Sequence, residues 1–134
     1  MLRVYLPRNL KRGALTDVER AAYEGPFPRD RRHITGVFPR EIVAGRAYLR
    51  AVEAGLPRLA GLPALIVWPD SDPGFGDQEL ARWKSLYPAA EVVHLRRVGQ
   101  FIDEDAPDDI ASAIREWWSR VPAGDAPAAD TGPS

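Results

Sequence analysis

The sequence predicts an α/β fold in which two parallel strands alternate with helices. The first strand is a continuous apolar run, Ala64–Trp68, which has the composition of a strand buried on both faces. A helical pattern separates it from a second strand-like segment at 91–95, and an amphipathic helix follows. Strands separated by helices imply right-handed crossovers, so we expect the two strands to be parallel.

The first predicted helix covers residues 15–24. Thr16 is an N-cap residue with Glu19 three positions later, which is the spacing of a capping box. Gly25 and the prolines that follow end this helix, because proline cannot continue an α-helix. A short strand at 2–6 is a further, weaker possibility.

The next part of the chain is expected to be less regular. Segment 29–44 is rich in arginine and contains Pro39, so we expect an irregular stretch with a short helical turn. A helix is predicted from Gly45 to Ala60, with a kink or an early end at Pro57. Its apolar stripe consists of Leu49, Val52, Leu56 and Leu59.

The C-terminal half supplies two more helices around the second strand. Gly74, Gly76 and Asp77 open a helix that Pro88 stops, and the last helix begins around 105–107. The buried stripe of that last helix is predicted to be Ile110, Ala113, Ile114 and Trp117. Residues 122–134 carry no large apolar side chain and are expected to form a disordered tail.

Composition places the chain among soluble globular domains. The 134 residues are 45% hydrophobic and contain no cysteine, which excludes disulfides and thiolate chemistry. No segment has the pattern of a signal peptide or the length of a membrane span, so we expect a cytoplasmic protein. The net charge is −1, and we interpret the arginines around His33 as solvated or paired with acids, with no nucleic-acid partner.

Residues 62–118 run from strand through acidic turn, helix, strand and glycine-containing turn to a final helix. This order resembles the C-terminal part of α/β-hydrolases, especially the haloalkane dehalogenase-like branch. The segments LTDVERAAYEGPFP, FPREI and 48–68 resemble the passage from the cap of that family to its core. The resemblance implies a partial α/β-hydrolase fold, with a cap-like helical segment at 1–44, the C-terminal part of the core at 45–121, and the tail.

The resemblance also assigns two site residues. The turn after the first strand carries the catalytic acid of the family, and Asp72 matches that position. The turn after the second strand carries the catalytic histidine, but this sequence reads Val98-Gly99-Gln100-Phe101, with Gln100 in that place. An imidazole exchanges a proton near neutral pH and a carboxamide does not. Asp72 is then left to cap the next helix or to bond Gln100.

A working enzyme of this family also needs a nucleophile elbow, G-x-S-x-G or its aspartate version. Neither motif occurs in these 134 residues, and the family has the elbow before the cap. The resemblance therefore implies a truncated hydrolase that is inactive alone. The ancestral substrate is left open among alkyl halides, esters, epoxides and lactones. The alternative is a non-catalytic dimerisation or interaction module, because two parallel strands are not expected to be stable alone. The expected partner is a second copy or a complementing hydrolase half.

Other candidates for chemistry are weaker. His94 lies within the second strand, six positions before Gln100, and strand geometry puts it far from the turn. Asp70, Asp72 and Asp77 faintly resemble a calcium loop, but the glycine and glutamate that such a loop requires are missing. We expect no metal and no cofactor, and weak esterase activity through an unrecognised base is the remaining possibility.

Overall fold

The computed structural model describes residues 5–26 and 37–122. In chain order the elements are α1 Tyr5–Asn9, α2 Asp17–Glu24, α3 Val37–Ala44, α4 Arg46–Gly55, a 3-10 helix Leu56–Leu59, β1 Leu65–Pro69, α5 Asp77–Leu86, β2 Glu91–Leu95, α6 Ile102–Asp105 and α7 Pro107–Arg120. The two strands pair in parallel, with Leu65 opposite Glu91 and Pro69 opposite Leu95. This confirms the predicted α/β fold with two parallel strands.

Helix α2 begins as the sequence predicts. The Thr16 hydroxyl accepts a hydrogen bond from the Glu19 backbone N–H at 3.2 Å, and the Glu19 carboxylate accepts from the Thr16 N–H at 2.7 Å. Two N–H groups that the helix itself cannot satisfy are thereby paired. The helix ends at Glu24, directly before Gly25.

The N-terminal residues correct the suggestion of a strand at 2–6. Tyr5 and Leu6 lie in helix α1, where Leu6 is buried. Pro7 is the third residue of that helix, within the first turn, where N–H groups lack intrahelical partners anyway. Residues 2–4 lie outside the described part of the chain.

The segment after residue 36 is more helical than predicted. Instead of a short turn, α3 forms two full turns from Val37 to Ala44, because Pro39 is again within the first turn. Helix α4 ends at Gly55 and changes to the 3-10 helix, in which the Leu56 N–H bonds the Glu53 carbonyl. Pro57 therefore ends the α-helix early, as expected. The rest of the arginine-rich stretch and His33 lie outside the described residues.

The pairing of β1 with β2 shows which backbone N–H and C=O groups of β1 face β2 and which face away from it. The Glu91 N–H bonds the Ala64 carbonyl at 3.0 Å, and the Asp70 N–H bonds the Leu95 carbonyl at 3.1 Å. Since backbone groups alternate along a strand, the even-numbered residues of β1 face β2 and the odd-numbered ones face away. Pro69 is odd-numbered, so its missing N–H removes no bond to β2.

A small apolar core lies under the carboxyl ends of the strands. Leu95, Val98 and Ala106 are buried there, and the half-buried side chains around them are Val67, Val93, Ile102 and Ile110. Ile114 was expected in the buried stripe of α7, but it is 47% exposed. The two strands lie about 5 Å apart, so the surface of the sheet is narrower than a helix, which is about 10 Å wide. Part of the apolar stripe of α7 therefore extends beyond the sheet.

The apolar stripe of α4 and the 3-10 helix after it is also largely exposed. Leu49, Val52 and Leu59 are each between 45% and 48% exposed.

No helix in residues 5–26 and 37–122 has the length and hydropathy needed to cross a membrane. The tail from residue 123 lies outside the described residues, and the domain boundaries stay predictions.

Candidate functional site

Two turns meet at the carboxyl edge of the sheet, because parallel strands end on the same side. The first turn follows β1 and contains Asp70 and Asp72. The second follows β2 and contains Gln100. The Ser71 N–H donates to the Val98 carbonyl at 3.1 Å, which joins the two turns directly. In open α/β sheets this edge is where ligands bind, so the site is built at the expected end of the strands.

Asp70 is the side chain that ties the first turn to the second. Its Oδ1 accepts from the Arg97 N–H at 2.8 Å, from the Val98 N–H at 3.4 Å and from the Ser71 hydroxyl at 2.8 Å. The Ser71 hydroxyl, followed by these two backbone N–H groups, lowers the pKa of Asp70. Arg97 has a φ of 56°, in the left-handed region, where a residue other than glycine is uncommon. Asp70 is therefore a fixed anion with a structural task.

Asp72 is half-buried and bonds within its own turn. Its Oδ1 accepts from the Gly74 N–H at 2.7 Å and from the Phe75 N–H at 3.2 Å. The N-terminus of α5 is satisfied instead by Glu79, whose carboxylate accepts from the Gly76 N–H at 2.8 Å. Within the described ranges no hydrogen bond joins Asp72 to Gln100. Asp72 holds the turn before the helix rather than the helix itself.

Gln100 is held by the N-terminal helix. Its Oε1 accepts from the Tyr5 hydroxyl at 2.6 Å. The Tyr5 ring packs edge to face against Phe101, with ring centroids 6.1 Å apart and an interplanar angle of 87°. The Gln100 carboxamide is thus a hydrogen-bond acceptor. Its donor is Tyr5, a residue that sequence analysis did not connect with this turn.

Asp105 joins the same two parts of the chain beneath the site. It is 7% exposed, and its carboxylate accepts from the backbone N–H groups of Lys11 at 2.9 Å, Arg12 at 3.0 Å and Gly99 at 2.8 Å. The fit at Gly99 is close, since a Cβ there would lie 1.9 Å from the Asn9 carbonyl oxygen. Only glycine permits this approach of the two backbones.

Sequence reasoning missed the role of Asp105. In the sequence it is one of three consecutive acids before α7, which suggested only a favourable interaction with the helix dipole. Its partners lie 94, 93 and 6 positions away, and all are backbone groups. The available signal was a glycine beside position 100, which indicates close backbone approach but not by which segment.

His94 is exposed on β2, opposite Trp68. It lines a shallow cleft of about 360 Å³ between β2 and α7, beside Arg12, Asp109 and Glu116. Neither Asp72 nor Gln100 lines that cleft. The part of the chain that is described holds no group of three His, Asp or Glu side chains arranged to bind a metal.

Similarity to known proteins covers most of the chain but only part of each relative. Over 118 residues the chain is 30% identical to a cis-3-alkyl-4-alkyloxetan-2-one decarboxylase of Shewanella oneidensis, which covers 84% of this chain and 37% of the decarboxylase. Over 80 residues it is 35% identical to haloalkane dehalogenase 2 of Mycobacterium bovis and of Mycobacterium tuberculosis, covering 58% of this chain and 28% of each dehalogenase. The chain therefore spans about a third of the length of these curated relatives. No family model matches the sequence.

Proposed function

Because this chain is related to the α/β-hydrolases and has a partial form of their fold, we propose that it is a haloalkane dehalogenase-like hydrolase portion without turnover of its own. The observation that carries the proposal is the carboxamide of Gln100 in the turn after β2, engaged by the Tyr5 hydroxyl. In the proposed assignment this is the position of the base, and Asp72 is the position of the acid that would orient it.

The chemistry of a carboxamide supports the absence of turnover. Hydrolysis through a covalent ester intermediate needs a base that takes a proton from the attacking water. The Gln100 amide does not accept a proton near neutral pH, and its oxygen already accepts a hydrogen bond from the Tyr5 hydroxyl. If another segment supplied an aspartate nucleophile, the ester would form and its hydrolysis would stall at this step.

The surroundings of Asp72 point the same way. A carboxylate that orients an imidazole accepts the ring N–H, whereas the Asp72 Oδ1 accepts two backbone N–H groups of its own turn. The missing elbow is a third argument, because neither G-x-S-x-G nor G-x-D-x-G occurs in the 134 residues. The proposal is thus that nucleophile and base are both absent from this chain.

The relatives suggest which substrates to test. One is named for a dialkyl oxetan-2-one and the others for haloalkanes. The purified chain is assayed with a bromoalkane, a dialkyl oxetan-2-one and a p-nitrophenyl ester, beside Asp72→Asn and the control Asp77→Asn at the start of α5. We expect all three proteins to match the buffer rate. Turnover above the buffer rate would overturn the proposal, and its loss in Asp72→Asn but not in Asp77→Asn would assign it to this turn.

A second candidate is a non-catalytic dimerisation module, and the burial of β1 favours it. The run Leu65 to Trp68 is only half-buried, although its composition is that of a strand covered on both faces. A partner that covers this strand would complete the sheet. This candidate is compatible with the absence of turnover.

A further inference from the structure

Tyr5 contacts Gln100 from a helix that is itself fixed against the second turn. Two residues of α1 are buried, Leu6 at 2% and Asn9 at 8% exposed. The Asn9 side-chain amide donates to the Tyr5 carbonyl at 2.7 Å, and the Asn9 carbonyl lies so close to Gly99 that a Cβ would not fit there. Helix α1 therefore lies against the turn, with its first residue beside position 100.

The Tyr5 side chain makes two contacts with the second turn. Its hydroxyl donates to the Gln100 Oε1 at 2.6 Å, and its ring packs edge to face on Phe101. Aromatic rings prefer this arrangement to a face-to-face stack. Because the hydroxyl lies in the plane of the ring, the contact with Phe101 sets the direction from which Gln100 is bonded.

Asp72 does not compete for the side chain at position 100. Its Oδ1 accepts from the backbone N–H groups of Gly74 and Phe75, and no hydrogen bond within residues 5–26 and 37–122 joins it to Gln100. The acid of a catalytic triad has to accept a hydrogen bond from the base that it orients. The first turn thus leaves the orientation of position 100 to α1.

We propose that Tyr5 is the positioning residue of position 100, and that it orients this position against use as a base. The inference rests on the proposed function, because it concerns the same site. The acid of a triad accepts a proton-bearing nitrogen of its base, whereas the Tyr5 hydroxyl donates and so requires an acceptor at position 100. The two kinds of orientation are opposite in sign.

The consequence is clearest for an imidazole placed at position 100 by Gln100→His. If the Tyr5 hydroxyl donates to one ring nitrogen, that nitrogen carries no proton and the ring proton lies on the other. The nitrogen left to take a proton from water is then already protonated. A hydrogen bond to the neutral ring also disfavours the charged form. Gln100→His alone should therefore not create a general base.

The first test measures how well the Gln100 carboxamide is ordered in the full chain. The sequence contains a second glutamine, Gln78, which is exposed in α5 and serves as the mobile reference. NMR relaxation of the two side-chain amides should give a higher order parameter for Gln100 than for Gln78. Tyr5→Phe keeps the ring but removes the hydroxyl, and should lower the value for Gln100 to that of Gln78. Asp72→Asn should leave it unchanged.

The second test reads the protonation of the imidazole in Gln100→His by NMR titration, using the resonance that the unmodified chain lacks. The pKa of this imidazole should be lower in Gln100→His than in Gln100→His combined with Tyr5→Phe, because the hydroxyl bonds the neutral ring. An imidazole oriented by Asp72 would behave in the opposite way, since a carboxylate raises the pKa and Asp72→Asn would lower it.

The charged side chains around position 100 are the same in both members of the Tyr5 comparison, so the difference in pKa isolates the hydroxyl. These side chains are Asp70 and Asp72 in the first turn, Arg97 in the second, Asp103, Glu104 and Asp105 in α6, Arg8 in α1 and Lys11 after it.

Three results would overturn the proposal: a Gln100 order parameter that Tyr5→Phe leaves unchanged, a loss of order at Gln100 in Asp72→Asn, or an imidazole pKa that does not rise when the hydroxyl is removed. If Gln100→His does not fold, the relaxation of the unmodified chain and of Tyr5→Phe decides the matter. Turnover in the assays above would end the proposed function without changing the relaxation. The two proposals therefore fail by different measurements.

Discussion

Removing the Asp105 carboxylate should loosen the N-terminal segment from the site. In Asp105→Ala the backbone N–H groups of Lys11, Arg12 and Gly99 lose their acceptor. An unpaired buried donor costs about 1–3 kcal/mol. Lys11 and Arg12 are exposed enough for water to replace part of their bonds, whereas Gly99 is buried. We therefore expect a loss of about 3–5 kcal/mol in the free energy of unfolding.

The assay combines urea unfolding with amide exchange, because a local measurement stays informative if the variant is too unstable for a full unfolding curve. The Gly99 amide should be protected in the unmodified chain and exchange rapidly in Asp105→Ala. Asp103→Ala is the control, since Asp103 is exposed on the same helix and makes no side-chain hydrogen bond among the described residues. It should cost less than about 0.5 kcal/mol. Equal losses in the two variants would refute the assigned role of Asp105.

Three further changes test the site and its pH dependence. Gly99→Ala should lower the free energy of unfolding by about 2 kcal/mol or more, because its Cβ would overlap the Asn9 carbonyl. The hydrogen bond to Glu104 raises the pKa of Tyr23 to about 12, above its unfolded value of 10.0, so its stabilising effect is complete below pH 10.0 and is lost as pH rises through about 12. The urea midpoints of Tyr23→Phe and the unmodified chain should converge over that window. The pKa of Asp70 is lowered from 3.8, so the stabilisation that Asp70 gives the folded chain is present above that pH and is lost as pH falls below it. Asp70→Asn should therefore flatten the acid-unfolding curve.

Each of these changes has a matched control. Gly61→Ala adds a methyl group to open space and should not destabilise the chain by packing. Glu104→Gln should return the pKa of Tyr23 toward its ordinary value, read from tyrosinate absorbance. Asp77→Asn should leave the acid-unfolding curve of the unmodified chain. An unchanged free energy of unfolding in Gly99→Ala would contradict the close approach assigned to Gly99. Acid-unfolding curves that coincide for Asp70→Asn and Asp77→Asn would contradict the role assigned to Asp70.

Local features of the fold could be predicted because short-range physics decides them. The bounds of β2 at Glu91 and Leu95 follow from apolar residues between Pro88 and the Arg96-Arg97 pair. The capping box at Thr16 depends on residues three positions apart. The end of α4 before Pro57 depends on one missing N–H.

The site could be predicted only in part, because its contacts join distant segments. The hydrogen bond from Tyr5 to Gln100 spans 95 positions, and that from Lys11 to Asp105 spans 94. Bonds from a carboxylate to backbone N–H groups leave no pattern in the sequence of the donor segment. The family resemblance singled out Asp72 as the acid of the first turn, which stays a prediction, whereas the side chain that joins the two turns is that of Asp70.

The way the two turns are held explains how this edge keeps its shape with a carboxamide at position 100. The Asp70 and Asp105 carboxylates accept hydrogen bonds from backbone N–H groups of the second turn, and Asp105 also accepts from those of the N-terminal segment. Backbone donors are present whatever side chain follows Gly99. Gln100 contributes one hydrogen bond, to Tyr5, and Asp72 bonds only inside its own turn among the described residues. A change of the side chain at 100 therefore leaves the carboxylates that position both turns engaged.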